Sequence, residues 1–247
     1  MALVSVIIPY YKKIDHIEKT IQSVLDQTFE DFEIILIYDD NIKNDLKQIE
    51  KFIKKNPKIK IINNNINLGA GISRNIGIKN SSGKIIAFLD SDDCWKPDRL
   101  EKQLNFMIKN KYKFTFCNYN KIIKNKKKIK VFSKKKIITF KDLLTDCEIG
   151  LSTVFLMRDI IEDELFPPLK TKEDYVAWLK ISKSNINAYN FPEYLVDWNY
   201  YENSLSSNFF QKFKDGFKVY FIYLNMSFLK SFFYLFLLSV NSIKRKF

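Results

Sequence analysis

The strongest constraint in this sequence is the order in which two patterns alternate. Short apolar runs at Val4 to Pro9, Phe32 to Tyr38, Ile59 to Ile62 and Ile85 to Leu89 are separated by stretches whose apolar residues recur at helical spacing. Ile17, Ile21, Val24 and Leu25 mark the first such stretch, and Leu46, Ile49, Phe52 and Ile53 the second. A Gly-containing turn leads into a third near residues 70–80, and Pro97 opens a fourth with Leu100, Leu104, Met107 and Ile108 inward. Continuous apolar runs bounded by turn signals read as buried strands, and the 3.6-residue recurrence reads as amphipathic helix. Pro9 is expected to stop the first strand. Asp15, with Glu18 three residues on, is expected to cap the first helix. Strands alternating with helices predict an α/β fold with a mostly parallel sheet and right-handed crossovers.

That topology has a chemical consequence. In such sheets ligands bind in a crevice outside the carboxyl ends of the strands. Three segments fall there: Pro9-Tyr10-Tyr11, Asp39-Asp40, and Asp90-Ser91-Asp92-Asp93. Gathered carboxylates repel and raise one another's pKa unless a cation neutralises them. Asp90, Asp92 and Asp93 form a hard-oxygen set suited to Mg²⁺ or Mn²⁺, ions that bind through one or two carboxylates plus substrate phosphates. A metal there would grip a diphosphate and neutralise a leaving nucleotide. The competing reading is an acidic turn that merely caps the helix beginning at Pro97. Asp39 has its own plainer reading, as the cap of the next turn.

Beyond residue 113 the alternation fades. Phe114 to Tyr119 and Leu151 to Met157 read as strands, and Glu173 to Ile181 as a helix. Lys121 to Lys130 carries six lysines and reads as an exposed hairpin or loop. The formal net charge is +13, which suggests an anionic partner or only a Lys-rich composition. No aromatic-basic RNA motif supports nucleic acid as that partner. Cys94, Cys117 and Cys147 lack metal-ligand spacing and fit reduced thiols. The single histidine, His16, reads as a surface residue on the first helix. A strand follows directly on the N-terminus with no signal peptide ahead of it, the expectation for a cytoplasmic chain.

The last stretch differs again. Phe217 to Val240 is rich in Phe, Tyr and Leu, is interrupted by Lys218 and Lys230, and is followed by Lys244-Arg245-Lys246. Its uninterrupted apolar run, Phe232 to Leu238, is far shorter than the roughly 20 residues that span a bilayer. An amphipathic helical segment lying on an anionic membrane surface fits it. A helix that packs on the protein or joins an oligomer fits it as well.

The ordered set of motifs is more specific than any one of them. Val4-Ser-Val-Ile-Ile-Pro-Tyr-Tyr11, Ile21-Gln-Ser-Val-Leu-Asp-Gln-Thr-Phe29, Asp39-Asp40-Asn41, Asn67-Leu-Gly-Ala-Gly-Ile-Ser-Arg-Asn-Ile-Gly77, Phe88-Leu-Asp-Ser-Asp-Asp93 and Pro97-Asp-Arg-Leu100 together closely resemble family 2 glycosyltransferases. The resemblance implies the GT-A fold: a Rossmann-like, mixed but mostly parallel sheet flanked by helices. Here it would carry a C-terminal helical, membrane-associating extension. It divides the chain into a glycosyltransferase domain over residues 1–210, with a nucleotide-binding half at 1–112 and an acceptor half at 113–210, and a C-terminal segment at 211–247.

The resemblance also implies roles. Pro9 and Tyr11 would line the base pocket, Asp40 would accept a hydrogen bond from the base, typically uracil, and Tyr10 and Asp39 would belong to the same nucleotide site. Gly71 and Arg74 would lie by the nucleotide. Asp90, Ser91 and Asp92 would form the Asp-x-Asp motif at ribose and metal, and Asp93 would add to the metal site. In Lys172-Glu173-Asp174-Tyr175, Asp174 would be the general base and Glu173 would orient the acceptor. Relatives often carry an Arg and a His just before the serines of Tyr200-Tyr-Glu-Asn-Ser-Leu-Ser206, but this chain has Trp198-Asn199-Tyr200-Tyr201.

The expected activity is inverting transfer of a sugar from a nucleotide diphosphate sugar, typically a UDP-sugar, to a hydroxyl of a glycan or lipid-linked acceptor. The setting would be capsule or lipopolysaccharide synthesis at the inner face of the cell membrane. Two alternatives stay open. A metal-dependent nucleotidyltransferase would be expected to carry a Gly-rich phosphate loop after the first strand, where this chain has Pro-Tyr-Tyr-Lys-Lys. A non-catalytic membrane-bound scaffold would need neither Asp92 nor the Glu173-Asp174 pair.

Overall fold

The computed structural model describes residues 2–123, 127–201 and 209–244. Strands β1 (Val4–Tyr10), β2 (Phe32–Tyr38), β3 (Ile59–Asn63) and β4 (Ile85–Phe88) pair in parallel in the order β3-β2-β1-β4. Helices α1 (Ile14–Leu25), α2 (Lys43–Ile53) and α3 (Ala70–Lys79) connect them. Every residue of β1 is buried, as expected for a central parallel strand covered on both faces.

Three local expectations need correction. Strand β1 runs through Pro9 to Tyr10 instead of stopping at the proline. The Ile7 carbonyl accepts from Leu89 N on the β4 side, and register with β4 ends at Ile7 and Phe88. Pro9 faces that same side two residues later, where no donor is required of it. Asp15 does not cap α1; Lys13 is the N-cap residue and no side chain caps the turn. Asp15 sits in the first turn, where its charge still opposes the helix dipole favourably. In α4 (Arg99–Lys109), Leu100, Leu104 and Met107 are buried, but Ile108 is 56% exposed. At 3.6 residues per turn it projects about 100° away from Met107.

After α4 the sheet changes character. Strand β4 pairs antiparallel with β9 (Val154–Met157), and β9 antiparallel with β6 (Phe114–Ile123). Strand β6 lies parallel to the long β10 (Ala188–Tyr200), which also carries β5 (Cys94–Trp95) and β8 (Ile137–Ile138) antiparallel. Leu151–Thr153, expected as strand, is a 3₁₀ turn, and β9 starts only at Val154. The lysine-rich stretch is a hairpin of β6 with β7 (Lys127–Val131); Lys124 and Lys126 lie outside the described residues.

Two apolar layers sandwich the sheet. One joins β1, β2 and β4 to α1, α2 and α4 through Ile17, Ile21, Ile49, Leu100 and Leu104. The other packs Phe88, Phe114 and Phe166 around Trp178 of α6 (Glu173–Lys183), with Leu143 of the short α5 (Phe140–Leu143). The C-terminal segment joins this second layer. Helix α7 (Phe209–Lys218) runs through a π turn, Val219–Tyr223, to α8 (Phe228–Lys244), and Val219, Tyr220, Leu235 and Leu238 enter the core. The segment is therefore helical and partly structural. Among the described residues no helix is long and apolar enough to cross a membrane.

Candidate active site

The carboxyl ends of β1, β2 and β4 bring the expected loops together. Tyr11 is exposed at the mouth of β1, while Pro9 is buried in the strand below it. Tyr10 is turned the other way: it is fully buried, stacked on Tyr38 at 5.0 Å, and its hydroxyl donates to Asp45 Oδ2 at 2.7 Å. The strand alternation that exposes one tyrosine buries its neighbour, so Tyr10 does not line the crevice.

Asp39 and Asp40 are both nearly buried and do different work. Asp39 accepts from Leu68 N, Gly69 N, Asn64 Nδ2 and Asn67 Nδ2, at 2.8 to 3.1 Å. It thereby folds the loop that launches α3, whose N-cap Gly69 takes φ +86°, a conformation that favours glycine. Asp40 accepts from Lys12 N at 3.1 Å and Asn41 N at 2.8 Å, tying the β1 loop to the β2 loop.

The acidic loop separates into unlike members. Asp93 is fully buried, accepting from Ser152 Oγ at 2.6 Å and from Asn199 N at 3.0 Å. Burial, with Asp90 and Asp92 close by, pushes its carboxyl well above the usual range. Ser91 is buried, and its carbonyl accepts from Thr20 of α1 at 3.1 Å. Asp90 and Asp92 stay partly open, each with one cation: Arg74 on Asp90 and Lys13 on Asp92, both at 2.7 Å. Burial is also the main cause that raises the Asp92 carboxyl, with Lys13 opposing it and Asp90 adding to it. Among the described residues no three acidic, histidine or cysteine side chains converge on a common metal position. Of the three carboxylates Asp93 is the one turned inward, each of its oxygens accepting one hydrogen bond from the acceptor half.

Arg74 joins the two halves. It is 3% exposed and bonds Asp90 with Nη2 and Glu173 Oε1 with Nη1, the latter at 2.8 Å. Gly71, one helical turn earlier, makes that approach possible: a Cβ there would lie 2.6 Å from the Pro167 carbonyl. Its visible role is close packing of α3 against the acceptor half. Glu173 and Asp174 open α6 behind Lys172, which takes φ +68°. Burial raises both carboxyls above the ordinary range, and Arg74 opposes the rise in each. Asp174 accepts from Tyr175 N at 2.7 Å and is only half-buried.

The model of "Glycosyl transferase family 2" matches residues 5–166, well over half of the chain. The chain belongs to that family. This family 2 glycosyltransferase is 36% identical over 225 residues to a protein of Bacillus subtilis (strain 168) named "Putative teichuronic acid biosynthesis glycosyltransferase TuaG", covering 90% of this chain and 87% of that one. It is 38% identical over 213 residues to the Escherichia coli "UDP-Glc:alpha-D-GlcNAc-diphosphoundecaprenol beta-1,3-glucosyltransferase WfgD", covering 86% of this chain and 83% of that one. The fold is shared with S. aureus TarS 1-349 in complex with UDP-GlcNAc, at TM-score 0.75 and 19% identity, over 95% of this chain and 70% of that one. It is shared too with the mannosyltransferase PcManGT of Pyrobaculum calidifontis in complex with GDP-Man and Mn²⁺, at TM-score 0.70 and 13% identity, over 94% and 69%.

The glycosyltransferase carries site residues that its sequence did not announce. Ser152 donates to Asp93 and accepts from Asp90 N, at 2.6 and 3.2 Å. The Asn199 side chain donates to the Asp92 carbonyl, in the stretch where Arg and His were expected. His16, read as a plain surface residue, is half-buried with its ring 5.2 Å from that of Tyr201. A serine or asparagine in an irregular stretch gives no periodic signal, and Asn199 is placed by β10, a strand that the hydrophobic pattern missed. Glu202 to Ser206 lie outside the described residues.

Proposed function

We propose that this glycosyltransferase is inverting and moves a sugar from a UDP-sugar to a hydroxyl of a lipid-linked glycan in bacterial surface polysaccharide synthesis. The observation that carries the reading is the bridge Asp90–Arg74–Glu173, which sets the acidic loop of the donor half beside the carboxylates that open α6. One relative is named for teichuronic acid biosynthesis and another for transfer to a diphosphoundecaprenol-linked GlcNAc, which supports the acceptor class.

The step needs no enzyme nucleophile. Asp174 accepts the proton of the acceptor hydroxyl as that oxygen bonds to the anomeric carbon. The bond from that carbon to the diphosphate breaks, and the nucleoside diphosphate leaves with the electron pair. Glu173, fixed by Arg74, orients the acceptor. Tyr11, Pro9 and Asp40 hold the base, and Asp39 shapes the loop behind it.

The donor set fits a divalent cation at Asp92 with Asp90, both partly open carboxylates. Mg²⁺ or Mn²⁺ bound there would neutralise the diphosphate. Asp93 is less suited than these two, because it is fully buried and each of its oxygens already accepts one hydrogen bond.

The same reading has the chain associate peripherally with an anionic membrane surface. Phe210, Leu229, Phe233 and Phe236 are 84, 80, 58 and 65% exposed on the C-terminal helices, and the only acid there, Asp215, is buried. Apolar insertion and lysine attraction act together on such a surface.

The test is a panel of nucleotide sugars scored by thermal stabilisation with Mn²⁺ and with chelator. UDP-sugars are expected to stabilise only with the metal. Stabilisation by another nucleotide class, or equally strong with chelator, overturns the donor or the metal reading respectively.

A further inference from the structure

The two cations of the acidic loop are held in different ways. Arg74 is buried and clamped between Asp90 and Glu173. Lys13 has a side chain 32% exposed, one carboxylate partner among the described residues, Asp92 at 2.7 Å, and a flexible four-carbon stem. Its ammonium also lies 4.6 Å from the centre of the Tyr201 ring, a second place to rest.

Lys13 is moreover a poor local choice. It is the N-cap residue of α1, where an oxygen-bearing side chain would accept from the first backbone N–H groups. A cation at that end also meets the positive pole of the helix. A residue that breaks a local rule points to a function it serves elsewhere. Lys13 gains its compensation across the crevice, on the carboxylate that fits a divalent cation.

We infer that Lys13 is an exchangeable internal counter-ion: it holds and orients the Asp92 carboxylate before donor binds, yields that carboxylate to the divalent cation when donor arrives, and moves onto the donor diphosphate. The inference rests on the reading of Asp92 as a cation ligand. Lys13 and a cation compete for the same carboxylate, so they exclude each other there. The diphosphate is the anion that arrives with the cation, within reach of the freed stem. Arg74 has no such freedom, because its departure would strand Asp90 and Glu173 together. The two basic residues thus divide the work, one fixing the site and the other exchanging.

The test uses the full chain. Free Mn²⁺ is followed by electron paramagnetic resonance, and UDP binding at saturating Mn²⁺ by calorimetry, in wild type, Lys13→Met, Lys13→Arg and Asp92→Asn. Lys13→Met is expected to bind Mn²⁺ alone about tenfold more tightly, the competitor being gone, and UDP about tenfold more weakly. Lys13→Arg is expected to keep UDP affinity while still opposing Mn²⁺. The opposite signs are the signature, since a lysine that only supports the fold would lose both affinities. No change in either, or loss of both in a variant whose melting matches wild type, overturns the exchange. If Asp92→Asn abolishes Mn²⁺ binding while Lys13→Met changes nothing, only this inference fails. If Asp92→Asn leaves Mn²⁺ binding intact, the metal reading fails and takes the inference with it. Should Lys13→Met not fold, Lys13→Gln carries the same two expectations.

Discussion

The two halves of the molecule are built on different rules. The first four strands, Val4 to Phe88, pair in parallel with one another, and their loops are fixed by their own side chains: Asp39 closes the loop to Gly69, and Asp40 ties two loops together. Beyond that point the sheet is mixed and its irregular loops reach back into the first half. Ser152 and Asn199 hold Asp93, Glu173 takes Arg74, and Asp215 of α7 accepts from Thr171 N and Oγ just ahead of α6. Tyr220 of the C-terminal segment bonds the hydroxyl of Tyr175 at 2.9 Å. A donor pocket can be nearly complete within one half, whereas the reacting centre needs both.

The sharpest way to break that contrast is at the bridge. Arg74→Met leaves the mostly buried Glu173 and the partly open Asp90 without their cation, and is expected to cost about 2–4 kcal/mol in denaturant unfolding. It also carries a pH signature. Arg74 lowers the raised Asp174 and Glu173 carboxyls, so its loss moves both further up. As the proposed base, Asp174 would act only when ionised. The acid limb of kcat/KM therefore lies above the range of an ordinary aspartate in wild type, and shifts to higher pH in the variant. A limb that stays where it was would detach Arg74 from the base.

Next in size is Gly71→Ala. Its Cβ would meet the Pro167 carbonyl at 2.6 Å, and backbone cannot move aside cheaply. A loss of about 1–3 kcal/mol is expected, with acceptor turnover falling more than UDP affinity. Equal losses in both would place the glycine at the nucleotide instead.

The smallest effect on the fold belongs to the exposed face of the tail. Cutting the chain at Asp215 would remove Val219, Tyr220, Leu235 and Leu238 from the core, so truncation is expected to unfold the acceptor half. Replacing Leu229, Phe233 and Phe236 together by Ser touches only exposed faces. Stability should change by about 0.5 kcal/mol or less per site. Flotation with anionic liposomes should be lost while UDP still binds. Flotation that survives would remove the membrane from the account.

The same contrast governs what could be read in the sequence. The first four strands and their helices announce themselves because a parallel strand buried on both faces is a continuous apolar run. Strand β10 does not, since bulges between Phe191 and Val196 break its alternation around Pro192. Asp90, Arg74 and Glu173 were legible from order and spacing, and these three do meet. The roles of Tyr10, Gly71 and Asp93 were not, because motif spacing places a residue near the crevice without saying which way it points. Ser152 and Lys13 were invisible for a related reason: their partners lie 59 and 79 positions away along the chain, counted from Asp93 and Asp92.

The central claim is that donor binding and catalysis reside in different halves and are joined only at the crevice. It is tested most directly by measuring UDP affinity and sugar transfer side by side in Asp174→Asn. An amide keeps the shape of the carboxyl and cannot take the proton, so transfer should fall about 10²–10⁴-fold with UDP affinity nearly unchanged. Transfer at the wild-type rate, or a parallel collapse of UDP binding, would contradict the account.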